Sequence, residues 1–248
     1  MTDLRSLTYE KLCGEVKNMG LPAFRAKQIY EWLHQKRAAS YDEMTNLPAA
    51  LRERLKAEYP LADVIIERKL VSKIDGTVKY LFRLGDGEHV EGVRMAYKRG
   101  GSLCISTQCG CRMGCTFCAS TLTGLCRNLT PSEMLCEVYL AAKDAEESGE
   151  KIASMVLMGI GEPLDNFDNV MDFLTIVTSE QGFNLGMRHI SLSTCGLVEG
   201  IRKFADEELP VTLCLSLHSA FDAKRKQIMP ISNRYTVKET VAAMRDYQ

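Results

Sequence analysis

Three cysteines within eight residues, Cys111, Cys115 and Cys118, constrain this chain more than any other feature. They follow an apolar run, SLCIST (102–107), that reads as a buried strand, and they precede a helix expected over 131–148. A chain built this way brings three soft thiols onto one tight loop at the end of a strand. Six of the ten cysteines (Cys104, Cys109, Cys111, Cys115, Cys118 and Cys126) fall in this short stretch, while Cys13, Cys136, Cys195 and Cys214 lie elsewhere.

Compartment decides how such a cluster is read. The first residues, MTDLRSLTYEKL, are polar and lack the apolar core of a signal peptide. No apolar run approaches the roughly 20 residues of a membrane helix. A cytoplasmic protein without membrane partners, and a monomer, is expected. In a reducing compartment, clustered cysteines point to metal binding or catalysis more than to disulfides. A net charge of -1 announces no nucleic-acid partner by itself, although a local basic face stays open.

Residues 1–60 read as a helical accessory domain. Segments 8–19, 22–37 and 48–58 carry apolar residues at helical spacing, separated by turns at Gly20-Leu21-Pro22 and Asn46-Leu47-Pro48. This segment holds 10 Lys and Arg against 8 Asp and Glu, which is weak support for RNA binding and equally suits a solvated surface. Residues 61–100 switch period. VIIERKLV, TVKYLFRL and HVEGVRMAY are β-rich runs separated by Asp75-Gly76 and Gly85-Asp86-Gly87, as in hairpins. From 101 to 248, strand candidates at 102–107, 154–158, 189–193 and 212–217 alternate with helix candidates at 131–148, 166–180, 197–206 and 236–247. Four such units predict an α/β fold with right-handed crossovers around a parallel sheet, a partial (β/α) barrel. An eight-stranded barrel needs about 250 residues by itself.

Thiolates at C-x3-C-x2-C suit an iron–sulfur cluster. A structural zinc needs four ligands, usually from paired knuckles. Three ligands leave one iron of a [4Fe–4S] cubane open to the amine and carboxylate of S-adenosylmethionine (SAM), whose reductive cleavage yields a 5′-deoxyadenosyl radical. Phe117, just before the last cysteine, fits that signature. A zinc site completed by Cys109, or unligated thiols, are the alternatives. Later motifs support the SAM reading. Met158-Gly159-Ile160-Gly161-Glu162-Pro163 ends the second strand of the series, where ligands of parallel sheets bind. Its glycines permit close backbone approach to a ligand, and Glu162 is a candidate acceptor for the SAM amine. Ser193 ends the third strand and is positioned for the ribose or carboxylate. Ser216, Leu217 and His218 end the fourth and would close over the same ligand. For each serine the alternative is a hydroxyl that caps the next helix. Cys195 and Cys214 read as packing residues.

GCRMGCTFCAS, GLCRNLTPSEM, LMGIGEPLDN, RHISLSTCGLV and SLHSAFDAKRKQIMPI together resemble the RlmN/Cfr family of radical-SAM RNA adenine methyltransferases, nearest its RlmN branch. The resemblance spans the chain, including the N-terminal helical module. It implies methylation of C2 of one adenosine in 23S rRNA and of the adenosine beside the anticodon in tRNA, with two SAM used per methyl. It also implies an electron donor such as flavodoxin or ferredoxin. By position it makes Cys104 the cysteine that resolves a protein–RNA crosslink, Glu91 the proton acceptor, and Gly161, Glu162, Ser193 and Ser216 to His218 the SAM contacts. Lys27, Lys36 and Arg37 become candidate phosphate contacts. A Cfr-type C8 methyltransferase and a non-catalytic RNA- or cluster-binding remnant are the competing readings. The family's methyl-carrying cysteine lies in an Ala-Cys-Gly-Gln-Leu motif, beyond two further strands. None of these 248 residues shows that motif, so a chain truncated at its C-terminus is expected.

Overall fold

A computed structural model describes residues 2–98 and 100–247. Met1, Arg99 and Gln248, which fall within or bound the expected segments, lie outside the described residues. The helical segment contains α1 (Tyr9–Asn18), α2 (Phe24–Tyr30) and α3 (Ala49–Glu58). The expected helix over 22–37 is interrupted: α2 passes into a wider π-type turn at Glu31–Gln35. That turn carries His34, which is buried with its Nδ1 2.9 Å from the Tyr139 hydroxyl.

Seven strands form one mixed sheet. They are β1 (Val64–Val71), β2 (Val78–Leu84), β3 (His89–Met95), β4 (Gly101–Ile105), β7 (Ile152–Leu157), β8 (Ile190–Thr194) and β9 (Thr212–Leu215), in that spatial order. The first four pair antiparallel and the remaining ladders are parallel. The hairpins expected over 61–100 therefore join the same sheet as the later strands. β3 pairs with β4, with Val93 opposite Cys104, and this extends the parallel part of the sheet outward. The alternation of buried and less buried residues along β2 matches the period-2 pattern of its sequence. A short ribbon, β5 (Gln108–Gly110) with β6 (Leu125–Asn128), brackets the cysteine loop.

The crossover helices are α4 (Pro131–Glu147), α5 (Phe167–Thr178) and α6 (Val198–Asp206), and α7 (Asp222–Ile228) and α8 (Val237–Asp246) follow β9. α4 starts at a capping box: Thr130 accepts from the Glu133 amide, and the Glu133 carboxylate accepts from the Thr130 amide. Its buried face supports both the sheet and the N-terminal module. Arg5, itself buried, donates to Cys136 Sγ at 3.0 Å and to the Ala38 carbonyl at 3.0 Å. Among the described residues no helix is long and apolar enough to cross a membrane.

Candidate active site

The carboxyl ends of β7, β8 and β9 face one cavity of about 250 Å³, and the cysteine loop that follows β4 forms its wall. Cys111, Cys115 and Cys118 all border it. The loop is held by backbone bonds at both ends and in the middle. The Cys111 amide donates to the Gly124 carbonyl at 3.0 Å and the Thr116 amide to the Ile228 carbonyl at 2.9 Å. The Thr121 hydroxyl donates to the carbonyls of Cys115 and Cys118. Gly110 turns the chain into the loop at φ 74°, where a Cβ would lie 1.9 Å from the Gly124 oxygen, so only glycine fits.

Among the described residues no three Cys, His or acidic side chains converge on a single point, as one metal ion requires. A cubane makes a different demand, because each thiolate binds a different iron and the three sulfurs must surround a cavity. Three cysteines bordering one cavity meet that demand. The zinc alternative loses its fourth ligand, because the Cys109 thiol faces Glu88 and the His89 carbonyl in a neighbouring cavity. Burial pushes the Cys111 thiol up to about 11 and raises that of Cys115 as well. Uptake of a cluster therefore releases protons as the ligands become thiolates.

Of the expected SAM contacts, Gly161, Glu162, Ser193, Ser216 and His218 border this cavity. Leu217 does not; its carbonyl accepts from Arg225 Nε at 3.0 Å. Glu162 is 3% exposed, and its Oε2 accepts from the Cys195 amide at 2.7 Å. Burial raises its pKa, while the hydrogen bonds from Cys195, Thr194 and Leu164 act against the rise. A carboxylate with further lone pairs toward the cavity can accept an ammonium. The Ser193 and Ser216 hydroxyls lie 3.0 Å apart, bonded to each other rather than to a helix N-terminus, so the capping alternative does not hold. Gly159 and Gly161 border the cavity and are also tightly packed by the protein itself. A Cβ on Gly159 would lie 2.5 Å from the Ile105 carbonyl at the end of β4, and one on Gly161 would lie 2.6 Å from the Cβ of Gln108 in β5. Glycine therefore lets the turn pack on β4 and β5 while it lines the cavity. Phe117 stacks at 4.4 Å on His218, whose φ is 55°.

Cys104 and Glu91 stand apart from this cavity. Val93 faces Cys104 across the ladder and Glu91 lies two residues along β3, so the two share a sheet face. Glu91 borders the neighbouring cavity and pairs with Lys79 at 2.8 Å. Burial lifts the Cys104 thiol to about 11. Cys195, expected only to pack, is buried and also borders the main cavity. Met113 and Met229 border it too and carry no signal in the sequence. Of the basic candidates, Arg37 is committed to a two-pronged pair with Glu146 at 2.9 Å, Lys36 lies 3.6 Å above the Trp32 ring, and Lys27 approaches Glu31 at 3.8 Å.

Residues 2–60 match the ribosomal RNA large subunit methyltransferase N-terminal domain, and residues 105–248 match the radical SAM superfamily. A probable dual-specificity RNA methyltransferase RlmN of Lachnospira eligens is 47% identical over 249 residues, covering 100% of this chain and 70% of that protein. The chain belongs to the RlmN family of radical SAM enzymes. An RlmN of Lachnoclostridium phytofermentans is 50% identical over 97% of this chain and 67% of its own length. The crystal structure of a radical SAM methyltransferase from Sphaerobacter thermophilus superposes with a TM-score of 0.93 at 40% identity, over 100% of this chain and 72% of that one. Family membership brings a [4Fe–4S] cluster and SAM as cofactors.

Proposed function

We propose that this chain is the cluster- and SAM-binding part of an RNA methyltransferase that acts on C2 of an adenosine in 23S rRNA and of the adenosine beside the anticodon in tRNA, with two SAM used per methyl. The observation that carries this is the meeting of three cysteines and three parallel strand ends at one cavity. Cys111, Cys115 and Cys118 would hold three irons of the cluster and leave the fourth for SAM. When bound, the cluster would supply the electron for reductive cleavage of the SAM sulfonium. Glu162 accepts from the SAM amine, the Ser193 and Ser216 hydroxyls exchange their mutual bond for bonds to the ligand, and the Phe117–His218 pair covers it. Glu91 takes the adenine C2 proton, and Cys104, held as a thiol by burial, assists release of the crosslinked RNA. No residue of this chain is assigned the methyl-carrying role. Lys27 and Lys36 contact RNA phosphates, and a one-electron donor of the flavodoxin or ferredoxin type serves the cluster. We further propose a monomer that works in the cytoplasm.

The test is anaerobic reconstitution with iron and sulfide, then SAM and a chemical reductant. Formation of 5′-deoxyadenosine is expected from the parent chain, with loss in Cys111→Ala, Cys115→Ala and Cys118→Ala. A chain that carries a full cluster but forms none sinks the reading. With RNA present, a methyl mapped to adenine C8 would move the chain to the Cfr-type activity.

A further inference from the structure

Arg225 of α7 is fully buried, yet its guanidinium meets no carboxylate among the described residues. Its three partners are neutral: the Leu217 carbonyl at 3.0 Å, the Ser232 hydroxyl at 2.6 Å and the Cys195 carbonyl at 2.5 Å. Asp222, one helical turn earlier, accepts instead from the Val237 amide at 2.7 Å. A buried charge without a counter-ion is costly, and native proteins keep one when something nearby carries the opposite charge.

The surroundings show where that opposite charge belongs. α7 ends at Ile228, whose carbonyl accepts from Thr116 inside the cysteine loop at 2.9 Å. Met229 packs with Cys115 and Cys195 in a small buried cluster, and Pro230 approaches Gly114 on the same loop. The carbonyl that takes Arg225 Nη2 belongs to Cys195, whose side chain is part of that cluster. The guanidinium thus sits behind Cys115 without bordering the cavity, so it does not touch SAM. The buried acid of this region, Glu162, has its carboxylate on the far side of Cys195, where it accepts that residue's amide. Burial pulls the Arg225 guanidinium down, and the nearby Cys195 and Cys115 sulfurs, with a lesser contribution from Asp222, act in the opposite sense without overcoming it.

A [4Fe–4S] core bound by three thiolates is anionic, and it gains one further negative charge on reduction. We infer that Arg225 is the buried counter-charge of the cluster and a positioning residue for it, favouring the reduced state and hence the electron transfer that precedes SAM cleavage. This rests on the cluster reading above. In the same place Arg225 ties the ends of β8 and β9 together through Cys195 and Leu217, so charge and scaffold must be separated experimentally.

Two variants separate them. Arg225→Lys keeps the charge and gives up the forked hydrogen bonds, whereas Arg225→Gln keeps a donor and gives up the charge. Both would be reconstituted anaerobically, assayed for iron and sulfide, and titrated with a redox mediator series without SAM, following the reduced cluster by EPR. Arg225→Gln should lower the reduction equilibrium constant at least tenfold, equivalent to about 59 mV for one electron, while Arg225→Lys stays within a few-fold of the parent. Equal shifts in both variants, or none in either with full clusters, overturn the inference. If Arg225→Gln fails to take up iron, Arg225→Lys decides alone: full cluster content with the parent potential supports the counter-charge role, and a tenfold shift refutes it. Failure of the parent to take up any cluster would instead refute the underlying cluster reading.

Discussion

His34 offers a quantitative test of how the N-terminal module is fastened to the core. Its ring is buried against Tyr30 at 4.3 Å between centroids, Nδ1 reaches Tyr139, and Nε2 has no partner among the described residues. Burial, with Arg5 adding repulsion, pushes its pKa down to about 3 from an ordinary 6.5. The folded value is the depressed one, so below pH 6.5 the unfolded chain binds a proton that the folded chain refuses. Stability from this residue is therefore complete above pH 6.5, falls as pH drops, and levels off near pH 3. Each unit is worth about 1.4 kcal/mol, which makes the loss about 2 kcal/mol at pH 5. Glu137 and Glu162 are buried carboxyls with raised values, and they work in the opposite direction. The informative quantity is thus the difference between parent and His34→Gln, which keeps a partner for Tyr139 but does not titrate. Urea unfolding at pH 7.5 and pH 5.0, followed by fluorescence of Trp32, the one tryptophan of the chain, reports on the module directly. The pH-dependent fall should be smaller in His34→Gln by about 2 kcal/mol. Parallel pH profiles for the two proteins would refute the assignment of a neutral, buried His34.

Other outcomes follow from the cysteine loop and its supports. Asp165 pairs with Arg112 between two of the cysteines and accepts from Gln108, which also holds the Glu162 amide. Asp165→Asn should weaken iron retention by about 10–100-fold in a chelator challenge, with little change in far-UV circular dichroism. Gly110→Ala should cost more than about 2 kcal/mol in urea unfolding, since it combines a left-handed backbone with a collision against Gly124. Thr130→Ala removes one arm of the α4 capping box and should cost about 1 kcal/mol, with cluster content unchanged.

Much of the site was legible because its chemistry depends on residue type. Three cysteines at fixed spacing and the polar ends of three strands identify themselves before any fold is known. The long amphipathic helices were equally clear, and apart from the helix expected over 22–37, which gives way to a π-type turn after Tyr30, the helix boundaries fall within a few residues of those expected. What was not legible depends on context. β5 and β6 are three and four residues long, too short for a periodic signal. α7 reads DAKRKQI, mostly polar, and nothing in Lys224-Arg225-Lys226 reveals that the middle residue alone is buried. The glycines after β7 suggested ligand approach and do border the cavity, but the segments that also require them, the end of β4 and β5, lie about fifty residues earlier and leave no trace in the motif. The β1–β3 run gave its strands and turns, but not its place in the sheet, because joining β4 is a long-range pairing.

The bond from Thr116 to Ile228 has a consequence during synthesis. The cysteine loop is made early, but its middle is anchored by a residue roughly a hundred positions later. At elongation rates of about 5–20 residues per second, the three thiols emerge about 5–20 s before that support exists. During this interval a nascent chain presents three thiols on an unsupported loop. Iron delivery to this protein is then best timed after α7 has left the ribosome, and premature metal capture or thiol oxidation becomes a kinetic hazard of its birth rather than of its folded life.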